Sequence, residues 1–242
     1  MKTWIYGKNA VYEAVRKNDQ LSKVVLLKEG KDEKLAALCK KNRISLSYED
    51  RSFFQKNSPA PNHQGYLALR ESYTYMPLDE MIARIPPEKM PLLVMLDGLE
   101  DPHNLGAILR SADATGADGI IIAKNRSVSL NATVAKVSTG AIEHVPVCQV
   151  TNLARTLEQL KKAGYWVVGT DMQDALDYRK ADYQMPLVLV IGSEGFGISR
   201  LVKEKCDYKV SIPMVGHVNS LNASVACAVL LYQIYNCRNP IV

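Results

Sequence analysis

Three short segments beyond residue 100 combine glycines with side chains that can position a substrate. They are residues 104–110 (NLGAILR), 192–197 (GSEGFG) and 212–224 (IPMVGHVNSLNAS). Each lies where a predicted strand gives way to a turn or a helix. In open α/β sheets, ligands bind at such turns, outside the carboxyl ends of the strands. The three segments therefore predict one shared binding site at the edge of a sheet.

The first segment predicts the start of an amphipathic helix over residues 104–115. Asn104 stands at the predicted N-cap, and Gly106 leaves the first turn bare, so that a second surface can approach the backbone. Arg110 points away from the buried face and is free to meet solvent or an anionic ligand. The buried face is predicted to comprise Leu105, Ile108, Leu109 and Ala112. An ordinary capped helix with an exposed arginine is the alternative interpretation.

The second segment follows an apolar strand predicted at residues 187–191. Its glycines are spaced Gly-x-x-Gly-x-Gly, which differs from the dinucleotide-binding fingerprint and builds a backbone cradle before a helix capped by Ser199. Glu194 in this cradle disfavours a bound pyrophosphate, because like charges repel, and suits hydroxyl, amine or cationic groups. A glycine-rich turn with a surface glutamate is the alternative.

The third segment leads from a strand predicted at residues 208–211 into a long helix at residues 221–236. Either Ser220 or Asn222 could cap that helix. Residues 223–235 are apolar nearly all the way round, so the helix must be buried on more than one side. A subunit interface would explain this pattern, and a core helix within one chain is the alternative.

Strands and helices are predicted to alternate from Pro91 onward, which is typical of a mainly parallel sheet covered by helices on both faces. The predicted strands are residues 92–96, 119–122, 145–150, 166–169, 187–191 and 208–211, and the predicted helices are residues 104–115, 153–163, 199–205 and 221–236.

The first 70 residues predict a separate small α/β unit. Its elements are a helix following Gly7, strands at residues 23–27, 44–47 and 66–69, and a helix at residues 33–41. This stretch holds 14 Lys and Arg against 7 Asp and Glu, whereas residues 71–242 hold 16 against 18. A basic module on a near-neutral body favours a polyanion as partner, and a merely solvated basic face is the alternative. Residues 71–91, with four prolines, are predicted to form a linker carrying one short helix.

Several classes of protein are disfavoured by composition. The first residues contain no apolar signal core, and the longest nearly apolar run, residues 223–235, is shorter than the ~20 residues that cross a bilayer. We therefore expect a cytoplasmic protein. The five cysteines are scattered, and His103 and His217 have no acidic or cysteine partners at ligand spacing, so we expect no metal site.

Taken together, the three segments resemble the motifs of the SpoU (TrmH-like) family of SPOUT RNA methyltransferases. The resemblance covers nearly the whole chain. Residues 5–11 (IYGKNAV) through 63–65 (HQG) are similar to the ribosomal-protein-like (L30e-like) substrate-binding domain of that family. Residues 139–144 (TGAIEH) also fit the family pattern between its first and second motifs.

The resemblance implies an RNA-binding domain at residues 1–72, a linker at 73–90 and a methyltransferase domain with a trefoil knot at 91–242. It also implies a homodimer through the C-terminal helix, with the active site near the subunit boundary and S-adenosylmethionine (SAM) bent in the knot. The implied catalytic residues are Asn104, Arg110, Glu194, Ser220 and Asn222. The implied cofactor-binding residues are Gly169, Thr170, Gly192, Gly195, Ile212, Met214 and Leu221.

The reaction that this resemblance implies is methyl transfer from SAM to a ribose 2′-hydroxyl, with a guanosine of 23S rRNA as the expected target. Such a transfer needs alignment and removal of the hydroxyl proton. A guanidinium seldom gives up its proton, so Arg110 is expected to grip a neighbouring phosphate rather than act as a base. A tRNA methyltransferase and a non-catalytic ribosome-assembly factor that binds RNA are the alternatives.

Overall fold

The computed structural model describes residues 2–17, 21–58, 60–71 and 73–241. By its internal contacts the chain divides into two compact units, residues 1–74 and residues 75–242.

The first unit is a four-stranded mixed sheet flanked by helices. Its elements are β1 (Lys2–Tyr6), α1 (Lys8–Lys17), β2 (Leu21–Leu27), α2 (Glu33–Lys41), β3 (Ser45–Glu49), α3 (Arg51–Asn57) and β4 (Tyr66–Glu71). The strand order is β1-β4-β2-β3, in which β2 and β3 are parallel and β4 is antiparallel to both of its neighbours. The predicted helix after Gly7 is α1, and it buries Val11, Ala14 and Val15 as its spacing required. Strand β1 and helix α3 were not predicted.

The second unit is a parallel sheet with alternating helices. Its elements are α4 (Leu78–Ala83), β5 (Leu92–Asp97), α5 (Pro102–Thr115), β6 (Gly119–Ala123), α6 (Ala132–Val137), β7 (Val147–Val150), α7 (Leu153–Lys162), β8 (Trp166–Thr170), β9 (Leu176–Asp177), β10 (Leu187–Gly192), α8 (Arg200–Lys203), β11 (Tyr208–Ser211) and α9 (Ala223–Arg238), with a short 3-10 helix at Ala141–Glu143. The strand order is β7-β6-β5-β10-β8-β11-β9, and every pairing is parallel. The predicted α/β architecture is confirmed.

The strands of this sheet are buried on both faces. All six residues of β10 are buried, as are the first five of β5. On one face Leu93, Met95 and Val190 pack with apolar residues of α4, α7 and α8. Helices α5 and α9 pack against each other, and α9 also contacts β10. The prediction of helices on both faces is therefore confirmed, and the ends of the strands are left as the place for a site.

Helix α5 begins earlier than predicted. Its N-cap is Asp101, whose side chain accepts a hydrogen bond from the backbone N–H of His103 (2.9 Å), and Pro102 occupies the first turn. The prediction that Asn104 caps this helix is wrong, because a proline with its fixed φ starts a helix readily and Asp101 directly precedes it. The rest of the prediction is confirmed, because Leu105, Ile108, Leu109 and Ala112 are buried and Arg110 is exposed.

The segment that the sequence predicts as a linker packs onto the second unit. It contains one short helix, α4, whose Met81 side chain is buried in the core of that unit. A Cβ atom on Gly119 would lie 2.4 Å from the sulfur of Met81, so any larger residue in β6 would displace the Met81 side chain. The hydroxyl of Tyr75 also accepts a hydrogen bond from the backbone N–H of Leu130 (2.8 Å).

Helix α9 is buried along one face only. Cys227, Leu231 and Ile234 are buried, whereas Tyr232 is 49% exposed and Tyr235 is 43% exposed. The expectation of burial on more than one side is thus not met within a single chain. No helix among the described residues is long and apolar enough to cross a membrane. The knot that the resemblance implies, like the cytoplasmic location, stays a prediction.

Candidate active site

Four neighbouring strands end at the same edge of the sheet, because they are parallel. Strands β5, β10, β8 and β11 end at Asp97, Gly192, Thr170 and Ser211. A cavity of about 250 Å³ lies at this edge. Its lining comprises Thr170, Asp171, Met172, Ile191, Gly192, Ser193, Glu194, Phe196, Gly197, Ile198, Lys203, Val210, Ser211, Ile212, Met214, Ser220, Leu221, Ala223, Ala226 and Leu230.

The turn after β10 is folded tightly over its first glycine. Ser193 and Gly197 exchange two backbone hydrogen bonds of 3.1 and 2.9 Å. A Cβ atom on Gly192 would lie 2.1 Å from the carbonyl carbon of Gly197, so only glycine fits at position 192. Gly197 has a φ of +65°, in the left-handed region that favours glycine. The predicted backbone cradle is present, and it exposes Glu194 at its tip.

A hydrogen-bonded network joins side chains of all three sequence segments. The side-chain amide of Asn104 donates to Oε1 of Glu194 over 2.8 Å. The amide of Asn222 donates to the same oxygen over 2.6 Å and to Oδ1 of Asn104 over 2.9 Å. These three residues are 90 and 28 positions apart in the chain, so only the fold brings them together. A carboxylate held by two amides is a fixed negative charge, which suits hydroxyl groups or a cation.

Asn222 also caps helix α9. Its Oδ1 accepts hydrogen bonds from the backbone N–H groups of Ser224 (3.0 Å) and Val225 (3.3 Å). Of the two candidates that the sequence offered, Asn222 is therefore the cap, and Ser220 lies outside the helix as part of the cavity lining. One end of Asn222 stabilises the helix while the other end orients Glu194.

Arg110 lies away from this network within one chain. It follows Asn104 by six residues on α5, which places it about 9 Å further along the helix axis. Its side chain is exposed, does not line the cavity and forms no ion pair within the described part of the chain. The structure thus brings Asn104, Glu194 and Asn222 together and leaves Arg110 separate from them.

Most of the predicted cofactor-binding residues line the cavity, namely Thr170, Gly192, Ile212, Met214 and Leu221. Gly169 and Gly195 do not. A Cβ atom on Gly169 would lie 2.7 Å from the sulfur of Cys206, so this glycine allows β8 to pack under the segment that follows α8. Gly195 stands in the open, with nothing within 4 Å of its would-be Cβ.

Sequence reasoning missed two charged residues of the cavity, Asp171 and Lys203. Their side chains form an ion pair with a distance of 2.6 Å between Nζ and Oδ2. The signal for Asp171 was present, because it is the first residue after a strand that ends at the site. Lys203 carried no comparable signal, since it lies on a four-residue helix whose position only the fold defines.

The cavity has the chemistry that SAM requires. Apolar side chains such as Leu221 and Leu230 can receive an adenine ring. The carboxylate of Glu194 gives the lining a negative charge that suits a ligand with a sulfonium and an ammonium group, whereas the charge of Asp171 is matched by Lys203. The volume lies near the lower end of the ~300–1,000 Å³ that is usual for small-molecule sites.

Comparisons with known proteins agree with this geometry. Residues 91–232 match the SpoU rRNA Methylase family, and residues 4–76 match a domain described as RNA 2′-O ribose methyltransferase substrate binding. A relative from Staphylococcus saprophyticus, assigned to the TrmH family of tRNA/rRNA methyltransferases, is 50% identical over 98% of this chain and 96% of its own length. YacO of Bacillus subtilis, assigned to the same family, is 49% identical over 98% of this chain and 97% of its own.

Two solved structures show the same fold with SAM (AdoMet) bound. One is an rRNA methyltransferase from Sinorhizobium meliloti, with a TM-score of 0.64, 26% identity, and coverage of 100% of this chain and 88% of that one. The other is the SpoU methyltransferase AviRb from Streptomyces viridochromogenes, with a TM-score of 0.64, 27% identity, and coverage of 98% and 90%.

Proposed function

Since this chain belongs to the SpoU rRNA methylase family, and is thus a SAM-dependent RNA ribose methyltransferase, we propose that its target is a guanosine 2′-hydroxyl of 23S rRNA. The observation that supports a ribose hydroxyl as the methyl acceptor is the network of Asn104, Glu194 and Asn222 beside the cavity. The match of residues 91–232 to the SpoU rRNA Methylase family, and of residues 4–76 to an RNA 2′-O ribose methyltransferase substrate-binding domain, supports an rRNA target.

The cavity residues would hold the cofactor while the network orients the ribose. When bound, SAM supplies an electrophilic methyl group on a positively charged sulfur. Backbone groups of Gly192, Ile212 and Leu221 would hold it, with Thr170 and Met214 closing the pocket. Asn104 and Glu194 would align the ribose, and Ser220 and Asn222 would keep the third segment in place.

Arg110 would act on the RNA rather than on the cofactor. A guanidinium grips phosphate oxygens with paired hydrogen bonds and keeps its own proton. From such a phosphate its positive charge would favour loss of the 2′-hydroxyl proton to solvent water, which makes that oxygen a better nucleophile. Its exposed position, away from the cavity lining, supports such a role.

We assign RNA binding to residues 1–72, a connecting role to residues 73–90, and catalysis to residues 91–242. We also propose a homodimer through α9. The half-exposed Tyr232 and Tyr235 on this helix support it. Their ring centroids lie 6.4 Å apart, and both side chains are exposed together with that of Val225. Because α9 starts at Asn222, such an interface would border the site.

The assigned role of Arg110 is tested by Arg110→Ala. We expect transfer of tritiated methyl groups to rRNA fragments to fall by at least ~100-fold, because the positive charge that favours the ionised 2′-hydroxyl is lost. The dissociation constant for SAM, measured by calorimetry, should change less than twofold. Arg155→Ala, which removes an exposed arginine from α7, is the matched control and should retain full activity. Substantial residual transfer by Arg110→Ala would exclude the role.

The choice of target is tested in cells. We expect 2′-O-methyl mapping to show one guanosine of 23S rRNA that is methylated in the wild type and unmethylated in cells without this protein. Loss of a methyl group from tRNA, with 23S rRNA unchanged, would refute the rRNA assignment and favour the tRNA alternative.

A further inference from the structure

A carboxylate at the cavity has no role in the mechanism above. Asp171 directly follows β8, whose sheet neighbours β10 and β11 also end at the cavity. Only 14% of its side chain is exposed. A carboxylate so placed must be well compensated to remain charged.

That compensation is present around Asp171. Oδ1 accepts hydrogen bonds from the backbone N–H groups of Met172 (2.8 Å) and Gln173 (3.2 Å), and Oδ2 pairs with Lys203 (2.6 Å). Lys209 stands further off, with its Nζ 3.8 Å from Oδ2. The carboxylate is thus oriented from one side by the chain that follows it and from the other by α8.

The ionised form is favoured. Partial burial acts to raise the pKa of Asp171, but the hydrogen bonds from Lys203 and from two backbone N–H groups outweigh it and hold the pKa below its usual range. An ionised carboxylate can accept about four hydrogen bonds. The three hydrogen bonds described above leave about one acceptor position of Asp171 free, and Asp171 lines the cavity.

The chemistry that fits this remaining capacity is a hydroxyl donor. A cationic group is a poorer match, because Lys203 already lies against the carboxylate and also lines the cavity. An acidic residue just beyond a parallel strand is a common partner for ribose hydroxyls in nucleotide-binding sheets.

Resting on the proposed function, we propose that Asp171 accepts a hydrogen bond from a ribose hydroxyl of SAM and that Lys203 holds Asp171 in position. The pair then defines the nucleoside end of the cavity, and the network around Glu194 defines the end where transfer takes place. Discrimination against cofactor analogues without ribose hydroxyls follows from this arrangement, because such analogues leave one acceptor position of a nearly buried carboxylate unsatisfied.

The test compares two ligands on two proteins by calorimetry, using the intact chain. The ligands are S-adenosylhomocysteine and its 2′,3′-dideoxy analogue, and the proteins are the wild type and Asp171→Asn. We expect the wild type to bind S-adenosylhomocysteine at least ~10-fold tighter than the dideoxy analogue, as is usual for hydrogen bonds to a charged group. Asp171→Asn should lose most of that difference while its affinity for the dideoxy analogue changes less than twofold.

Asp174→Asn is the matched control. It makes the same substitution in the same loop, at an exposed residue that does not line the cavity and whose φ of +49° asparagine tolerates. It should bind both ligands as the wild type does.

If Asp171→Asn lost affinity for both ligands by the same factor, the proposal would be overturned, because Asp171 would then only support the loop. Equal affinity of the wild type for the two ligands would overturn it without any variant. Failure of the wild type to bind S-adenosylhomocysteine at all would overturn the proposed function as well, which separates the two failures.

Discussion

At the scale of single residues, the site depends on one oxygen atom of Glu194. Three nitrogen donors converge on it, from Asn104 (2.8 Å), Asn222 (2.6 Å) and the backbone of Ala223 (3.4 Å). The sequence predicted that these side chains share a site, because each stands at a turn beside a strand end. It could not predict the pairing, since hydrogen bonds between residues 28 to 118 positions apart depend on strand order. The Asn104 cap was predicted wrongly although Asp101-Pro102 is itself a helix-start signal.

The network predicts the behaviour of Asn222→Asp. The new carboxylate keeps the acceptor that caps α9 but replaces the amide that donates to Glu194, so two like charges face each other. We expect the free energy of unfolding to fall by about 1 kcal/mol, a modest value because Glu194 is exposed, and methyl transfer to fall strongly.

The double variant Asn222→Asp/Glu194→Gln provides the control for this prediction. Its glutamine amide can donate to the new carboxylate, which restores the pair with donor and acceptor exchanged. We expect denaturant unfolding to show at least half of the lost stability regained, as a double-mutant cycle. Strictly additive losses would show that the two side chains do not interact.

At the scale of helices and strands, hydrophobic periodicity and the residues that begin or end elements predicted the long helices and strands but not the short ones. Helix α6 and strand β9 have six and two residues, too few to show a helical or alternating pattern. Helix α3 has seven residues and escaped for the same reason. Glycine gave a better signal, because Gly106 predicted the close approach of a second surface. The sequence did not reveal that this surface is α6.

The contact between α5 and α6 predicts the effect of Gly106→Ala. The added Cβ would lie 2.6 Å from Cβ of Val137 and 3.1 Å from the carbonyl oxygen of Val134, so α6 must move. We expect thermal unfolding to show a net loss of about 1–3 kcal/mol from overpacking, although alanine gains up to ~1 kcal/mol of helix propensity.

Gly216→Ala is the matched control for this prediction. Its added methyl group would meet nothing within 4 Å, and its φ lies outside the left-handed region. Its free energy of unfolding should stay within ~0.5 kcal/mol of the wild type. If Gly106→Ala were as stable as this control, α6 could shift without a cost in stability and would not support α5.

At the scale of the whole molecule, charge is divided between the two units. Residues 1–70 carry 14 Lys and Arg against 7 Asp and Glu, whereas the remainder carries 16 against 18. The division into two units agrees with this change in composition, and the interpretation of the basic unit as the RNA-binding one stays a prediction. Which part of the first unit meets RNA is not readable from composition, because its cations are spread over several elements. Some of these cations lie near Asp32. This carboxylate accepts hydrogen bonds from the hydroxyls of Tyr12 (2.6 Å) and Tyr66 (2.9 Å), and Lys8 lies over the ring of Tyr66.

The cations near Asp32 predict how RNA binding depends on salt. Lys8 stands over the ring of Tyr66 (5.7 Å to its centroid), and the exposed Lys31 and Lys34 flank Asp32 along the chain. If these three cations contact phosphates, replacing all of them with alanine should flatten the plot of log affinity against log salt concentration by about 2–3 units, since each contact releases roughly 0.7–0.9 counterion. Filter binding or fluorescence anisotropy with an rRNA fragment at several salt concentrations would measure the slope.

The control for the salt prediction removes the same charge from the other unit. Replacing the exposed Arg155, Lys162 and Lys180 with alanine lowers the net charge equally, so any effect of overall charge is matched. We expect the slope for this second triple variant to differ from the wild-type slope by less than about one unit, the effect of one phosphate contact. Its cations lie outside the module that we assign to RNA binding. Identical slopes for the two triple variants would show that RNA is not bound through the Lys8–Tyr66–Asp32 region, even if methyl transfer itself were unaffected.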